Sequence, residues 1–154
     1  VKAIALPDER WDKVDIKTTN LIPNILAQTK AEKKFAYTAM LFRDGICTEG
    51  ATSNVFAVKD GILYTHPADN HILKGITRQM IVTRVAPSLG ITLIEKEFDR
   101  AFVDDADELF FTDTIGGVIP IIKLDKNPVS GGKPGHVTLR LREALEKLME
   151  EGLP

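Results

Sequence analysis

Apolar and polar positions change period several times along this chain, and the changes mark its elements. Residues 1–6 form a short apolar run, the mark of a strand. Over residues 21–34, Leu21, Ile22, Ile25, Leu26 and Ala27 recur at helical spacing before a Lys- and Glu-rich end. This predicts a helix with Asn20 as its N-cap and Pro23 in the first turn, where a missing N–H costs little. Four strands follow, over 36–42, 46–48, 54–58 and 62–65, and Asp44-Gly45 and Asp60-Gly61 between them are strong hairpin signals. Ile76, Met80, Ile81 and Val85 predict a helix over 75–86, closed by Pro87 and Gly90. Strands are expected at 91–94 and 108–112. The near-continuous apolar run 118–124 reads as one buried strand. A loop over 130–135 leads to an amphipathic helix at 137–150, with Leu139, Leu141, Leu145, Leu148 and Met149 as its apolar face. Strands and helices mix without regular alternation, which predicts an α+β fold, or an irregular α/β barrel-like one, in a single domain spanning 1–154.

Composition narrows the function classes. At 154 residues, 44% hydrophobic and 27% charged, the chain has the make-up of a soluble globular domain. A net charge of −2 with both signs interspersed argues against a nucleic-acid surface. No apolar run approaches a membrane span, so no membrane partner is expected. One cysteine, Cys47, excludes an internal disulfide and fits a reducing compartment, hence a cytoplasmic expectation.

Several segments could carry chemistry. Lys17, beside Asp15, reads alone as a solvated surface charge. Its place just before a capped helix would also suit a strand end that points it into a cleft, where an amine freed of its proton could attack an aldehyde. Glu49, followed by Gly50, is either an exposed turn glutamate or a carboxylate facing a ring nitrogen. Thr52-Ser53-Asn54 is a polar cluster entering a strand, suited to capping a bend or lining a pocket. In Leu73-Lys74-Gly75-Ile76-Thr77-Arg78 the amides of Ile76 and Thr77 would open a helix and favour an anion, with the Thr77 hydroxyl as a further ligand. The plain alternative is a Gly-then-helix turn. Thr112-Asp113-Thr114 before Gly116-Gly117 is a second, weaker phosphate candidate. Residues 130–135 are Gly-rich and contain Lys133 but lack P-loop spacing. His66, Asp69 and His71 could be drawn as a metal site, yet Pro67 argues against a helix aligning them, and no metal is expected. Cys47 fits a small core residue, and Trp11 is expected near the Lys17 cleft.

In this order and spacing, the segments around Lys17, from Glu49 to Phe56 and from Thr65 to Arg78 resemble the fold type IV pyridoxal-phosphate enzymes, most closely the D-amino-acid aminotransferases. The resemblance runs over almost the whole chain. It implies pyridoxal 5'-phosphate as cofactor and transamination between a D-amino acid and a 2-oxo acid. Lys17 resembles the lysine that holds the cofactor as a Schiff base and moves the proton, and Glu49 the partner of the pyridine nitrogen. Leu73 matches the residue packing on the ring, and Ile76, Thr77 and Thr114 match phosphate ligands. Arg10 matches an arginine that helps to arrange the site. The resemblance further implies amino acids and 2-oxo acids as small-molecule partners and a homodimer at full length. Members of that family carry a smaller N-terminal domain before the matched region. Residues 1–154 are thus expected to be the large cofactor-binding domain alone, weak in cofactor binding and turnover. Branched-chain aminotransferase and aminodeoxychorismate lyase are rivals within the fold. A non-catalytic binding or assembly domain is the rival of another class, and the joint presence of Lys17 and Glu49 argues against it.

Overall fold

The computed structural model describes residues 1–152; the last two residues of the expected 1–154 domain lie outside the described residues. Among the described residues, ten strands form two five-stranded mixed sheets, in agreement with the α+β expectation. The first has the order β10-β9-β1-β2-β3 and the second β6-β5-β4-β7-β8. The first sheet is built from β1 (Lys2–Pro7), β2 (Thr38–Arg43), β3 (Ile46–Gly50), β9 (Lys123–Leu124) and β10 (Asn127–Pro128). The second is built from β4 (Asn54–Lys59), β5 (Ile62–Thr65), β6 (Leu93–Glu95), β7 (Glu108–Asp113) and β8 (Gly117–Ile121).

Side-chain alternation explains the layering. Ala3, Met40 and Cys47 from the first sheet meet Val55, Ala57, Leu109 and Phe111 from the second in one buried cluster, so the sheets face each other. The opposite face of the second sheet offers Phe56, Val58 and Phe110, with the Phe56 and Phe110 rings stacked at 4.9 Å. Helix α5 (His136–Glu150) and a helical run from Ile76 cover this face through Leu141, Leu145, Ile81 and Val85. Helix α1 (Ile22–Glu32) covers the outer face of the first sheet. With both faces of the central strands covered, their near-continuous apolar runs follow.

Both Asp-Gly hairpins form as expected. Asp44 and Gly45 have φ of 50° and 83°, and Asp60 and Gly61 have 51° and 75°, the left-handed pairs that match strand twist.

Other expectations are corrected. Asn20 does not cap α1; Leu21 holds that position with no side-chain bond, and Asn20 instead lines a cavity. That helix buries Ala27 and Ala31 against Ala39 and Leu41, while Ile22, Ile25 and Leu26 stay more than half exposed. Small residues let helix and sheet approach closely, which turns the larger side chains outward. Pro87 does not close the helix predicted at 75–86. The run continues through α2 (Ile76–Met80), a π-helical turn (Ile81–Val85) and α3 (Ala86–Ser88), with Gly90 after its end. The π turn just before Pro87 interrupts the regular bonding that a proline cannot make. Ile76 lies off the apolar face of that run, 70% exposed, and Leu139 and Met149 lie off that of α5. The run 118–124 is two strands in different sheets, β8 and β9, parted at Ile122. A short helix, α4 (Arg100–Asp104), capped by the Asp99 carboxylate at the Phe102 amide, was not expected.

Helix α5 has no cap from its own N-terminal residues. Instead Glu108, buried at the start of β7, accepts hydrogen bonds from the Val137 amide at 2.9 Å and from the Thr138 amide and hydroxyl at 2.7 Å each. We predict that Glu108→Ala lowers stability by about 2 kcal/mol, because two helix amides and a hydroxyl lose a charged acceptor. Urea unfolding measures it, and an unchanged midpoint would contradict the role.

Candidate active site

The chain crosses from the first sheet to the second after β3. Strand β3 of the first sheet leads through Ala51-Thr52-Ser53 directly into β4 of the second. Register along β2 and β3 shifts between Met40, paired with Gly50, and Phe42, paired with Cys47, so β3 carries an extra residue around Thr48 and Glu49. Such a bulge re-aims side chains, and here Glu49 turns into the cleft between the sheet ends.

A cavity of about 250 Å³ opens at this point. All seven residues expected to hold the cofactor line it: Arg10, Lys17, Glu49, Leu73, Ile76, Thr77 and Thr114. They come from the loop after β1, the end of β3, the loop before α2, the start of α2 and the end of β7. Trp11, expected near Lys17, lines it too. The expected setting of Lys17 is corrected: it lies ten residues beyond β1 in irregular chain, not at a strand end, and it is exposed. The polypeptide reaches it by turns, with the Val14 amide bonded to the Asn70 carbonyl at 2.9 Å.

Glu49 is the most constrained group. It is 4% exposed. Its Oε1 accepts from Arg10 Nη1, and its Oε2 accepts from Asn54 Nδ2 at 2.8 Å and from the Leu73 amide at 3.1 Å. Asn54 Nδ2 also donates to the Leu73 carbonyl at 2.8 Å, so one amide side chain ties the carboxylate to the loop before α2. Burial is the largest influence on Glu49 and raises its pKa; Arg10 opposes this, and the net result is about 7 against an ordinary 4.5.

Arg10 is itself buried and spreads its donors. Nε and Nη2 grip the two Asp8 oxygens at 2.8 and 2.7 Å, and Nη2 also reaches the His71 carbonyl at 3.2 Å. Burial acts to raise the Asp8 pKa, but the hydrogen bonds and charge of Arg10 outweigh it and hold that carboxyl below the ordinary range. The Arg10 guanidinium is correspondingly raised: burial lowers it, and the two carboxylates more than offset that.

At the other end of the cavity the chain enters α2 through Gly75, whose Cα lies so near the Asn54 side chain that a Cβ would collide with Asn54 Oδ1. A side chain there would displace Asn54 from its bonds to Glu49 and the Leu73 carbonyl. The Ile76 and Thr77 amides open the helical run, where no carbonyl precedes them one turn back. Thr77 Oγ1 donates to the Asp113 carbonyl at 2.9 Å, so its hydroxyl proton joins α2 to β7 and the amide is the donor left for a ligand. Two buried hydroxyls on the cavity wall, those of Ser53 and Thr112, have no protein partner.

Asp8 and Arg43 were not among the expected site residues, whereas Thr52, Ser53 and Asn54, read as a cluster that caps a bend or lines a pocket, do line the cavity. Asp8-x-Arg10 is a short-range signal, since the Arg10 amide bonds back to Asp8 Oδ1 at 3.1 Å. Asn54 carried its polar type at a strand entry, and nothing local pointed to Arg43. His66, Asp69 and His71 do come together, with one ligand atom of each within 4.8 Å of the others. His66 Nδ1, the nitrogen 3.8 Å from Asp69, bonds to the Pro67 carbonyl at 2.9 Å. Cys47 sits fully buried in the core, its thiol pKa pushed up by burial first and by Glu49 second. Among the described residues, no helix is long and apolar enough to cross a membrane.

Comparison with known proteins shows the family and the fold. A family model for amino-transferase class IV matches residues 2–124. The chain is 42% identical to a D-alanine aminotransferase of Staphylococcus aureus (strain COL) over 150 residues, which is 97% of this chain and 53% of that protein. It is 40% identical to a D-alanine aminotransferase of Bacillus licheniformis over 146 residues, 95% of this chain and 51% of that protein. Among solved structures, a branched-chain aminotransferase from Thermoproteus uzoniensis, with norvaline, superposes with a TM-score of 0.89 at 30% identity, over 96% of this chain and 50% of that one. A branched-chain amino acid aminotransferase from Escherichia coli gives a TM-score of 0.81 at 29% identity, over 96% of this chain and 52% of that one. The chain therefore spans about half the length of the relatives it matches.

The raised Glu49 pKa has a measurable consequence. The folded chain binds this proton more tightly than the unfolded chain, so stability is greatest below the unfolded value of 4.5 and falls as pH rises through about 7. Between pH 5 and pH 8 we predict a loss of about 2 kcal/mol in the wild-type chain that Glu49→Gln does not show. Urea titrations at both pH values measure it, and parallel pH dependence in the two proteins would contradict it.

Proposed function

The chain belongs to the class IV aminotransferases, and from that premise we propose that it is the pyridoxal 5'-phosphate-binding large domain of an enzyme transaminating between a D-amino acid and a 2-oxo acid. The observation that carries this reading is the meeting of Lys17, Glu49 and the Gly75-Ile76-Thr77 turn around one cavity. The residues present fit the group. The buried carboxylate suits a ring nitrogen, the Ile76 and Thr77 amides suit an anion, and the unpartnered Ser53 and Thr112 hydroxyls leave polar capacity on the wall.

When bound, pyridoxal phosphate supplies an aldehyde and an electron-withdrawing ring that renders the Cα–H of an attached amino acid acidic. Lys17 would provide the amine for covalent attachment and a base for the Cα proton. Glu49, held by Arg10, would face the ring nitrogen and favour a proton there. Leu73 would pack against the ring, and Ile76, Thr77 and Thr114 would hold the phosphate. D-alanine aminotransferases at 40–42% identity support the D-amino-acid reading. The high TM-scores to branched-chain aminotransferases favour that activity as a second reading. A homodimer would cover the exposed Ile22, Ile25 and Leu26 stripe on α1. The lone thiol supports a cytoplasmic setting.

Borohydride reduction with pyridoxal phosphate followed by intact mass tests the covalent step. The wild-type chain is predicted to gain one cofactor mass and Lys17→Ala none; equal labelling of both would refute the assignment. A panel with D-alanine and L-leucine on the full-length protein separates the two activities, and faster turnover of L-leucine would favour the branched-chain reading.

A further inference from the structure

We infer that Asp8 is a positioning residue for this site: it takes the larger share of the Arg10 guanidinium and leaves Glu49 with an incompletely balanced charge at the cavity wall. Asp8 does not line the cavity, and its side chain is fully inaccessible to solvent. Two of the three Arg10 nitrogens bond to it, in the forked geometry that is the strong mode for this pair. Glu49 receives the remaining one, Nη1. On the far side of Asp8, Arg43 Nη2 lies 3.6 Å from Oδ1, and Arg43 Nη1 continues to Asp12 at 2.7 Å. Thr48 Oγ1, from the bulge that aims Glu49, donates to Asp8 Oδ2 at 2.9 Å. Arg43, Asp8, Arg10 and Glu49 thus form a row of alternating charge that runs inward from the surface.

The row has a chemical consequence. An Arg10 committed to Glu49 alone would make a neutral pair with little attraction for a cation across the cavity. With Asp8 competing for the same guanidinium, Glu49 keeps negative charge to spare. Its remaining neighbours are neutral donors, Asn54 and the Leu73 amide. Cys47 on the same strand has its thiol pKa raised by burial, and Arg100 of α4 acts on that thiol. Lys17 and Asp113 line the same cavity. The natural taker of the spare charge is a protonated ring nitrogen, so the inference rests on the proposed function while its test does not.

That test is the titration of the Glu49 side-chain carboxyl, followed by ¹³C NMR in the cofactor-free protein. Asp8→Asn keeps the shape and removes the competing charge, and the Glu49 pKa is expected to fall by about one unit. Arg43→Gln strengthens the pull of Asp8 on Arg10, and the same pKa is expected to rise. Opposite shifts support the inference when the ¹⁵N resonances of the Arg10 guanidinium move with them, because direct charge–charge action on Glu49 leaves the Arg10 hydrogen bonds in place; opposite shifts with an unmoved Arg10 overturn it. Shifts of the same sign, or none, overturn it. If Asp8→Asn fails to fold, Arg43→Gln decides: a rise with moved Arg10 resonances supports the inference, and an unmoved titration or an unmoved Arg10 overturns it. Failure of the protein to bind pyridoxal phosphate would sink the proposed function and leave the titration result standing.

Discussion

The site depends on one buried guanidinium held between two buried carboxylates. Arg10 binds Asp8 two residues before it, Glu49 on β3 and the His71 carbonyl in the loop before α2. These contacts join the first sheet, the crossing between the sheets and the loop that leads to the anion-binding turn. Removing three charges from water is expensive, and further hydrogen bonds to both carboxylates help to offset that cost. Asp8 has Thr48 and Arg43, and Glu49 has Asn54 and the Leu73 amide.

The fold makes this arrangement possible by bringing strand ends and loops of two packed sheets to one cavity. A core of Met40, Cys47, Val55 and Phe111 holds the sheets face to face, and the chain passes from one to the other at 51–53. The β3 bulge then aims a carboxylate into the cavity, and Gly75 brings the start of α2 against Asn54. Asn54 therefore couples the two halves of the proposed cofactor seat, with one side-chain nitrogen serving both the Glu49 carboxylate and the Leu73 carbonyl. On the reading proposed, ring partner and phosphate turn are positioned by a common contact, so displacement of either moves the other.

Much of this was legible in the residues, for reasons that differ by scale. Asp-Gly pairs between apolar runs marked the two hairpins because turn chemistry is local. The candidate cavity residues were legible chiefly through the family resemblance that their segments carry, and the structure brings all seven to one cavity. What escaped was non-local. Nothing in 118–124 says that Ile122 divides a run between two sheets. The outward turn of Ile22 and Ile25 follows from small residues on a strand remote in sequence, and the cap of α5 is a glutamate 28 residues before the helix begins. Asp8 and Arg43 escaped because charged residues near a turn read as solvated until their partners are seen.

The central claim is that Glu49 supplies the charge that keeps a ring nitrogen protonated in this cavity. The most direct measurement is the ¹⁵N chemical shift of ring-labelled pyridoxal phosphate bound to the protein, compared between wild type and Glu49→Gln. The account predicts a protonated-pyridinium shift in the wild type that moves to the neutral-pyridine range in the variant. A neutral-pyridine shift in the wild type, or the same shift in both proteins, would contradict it.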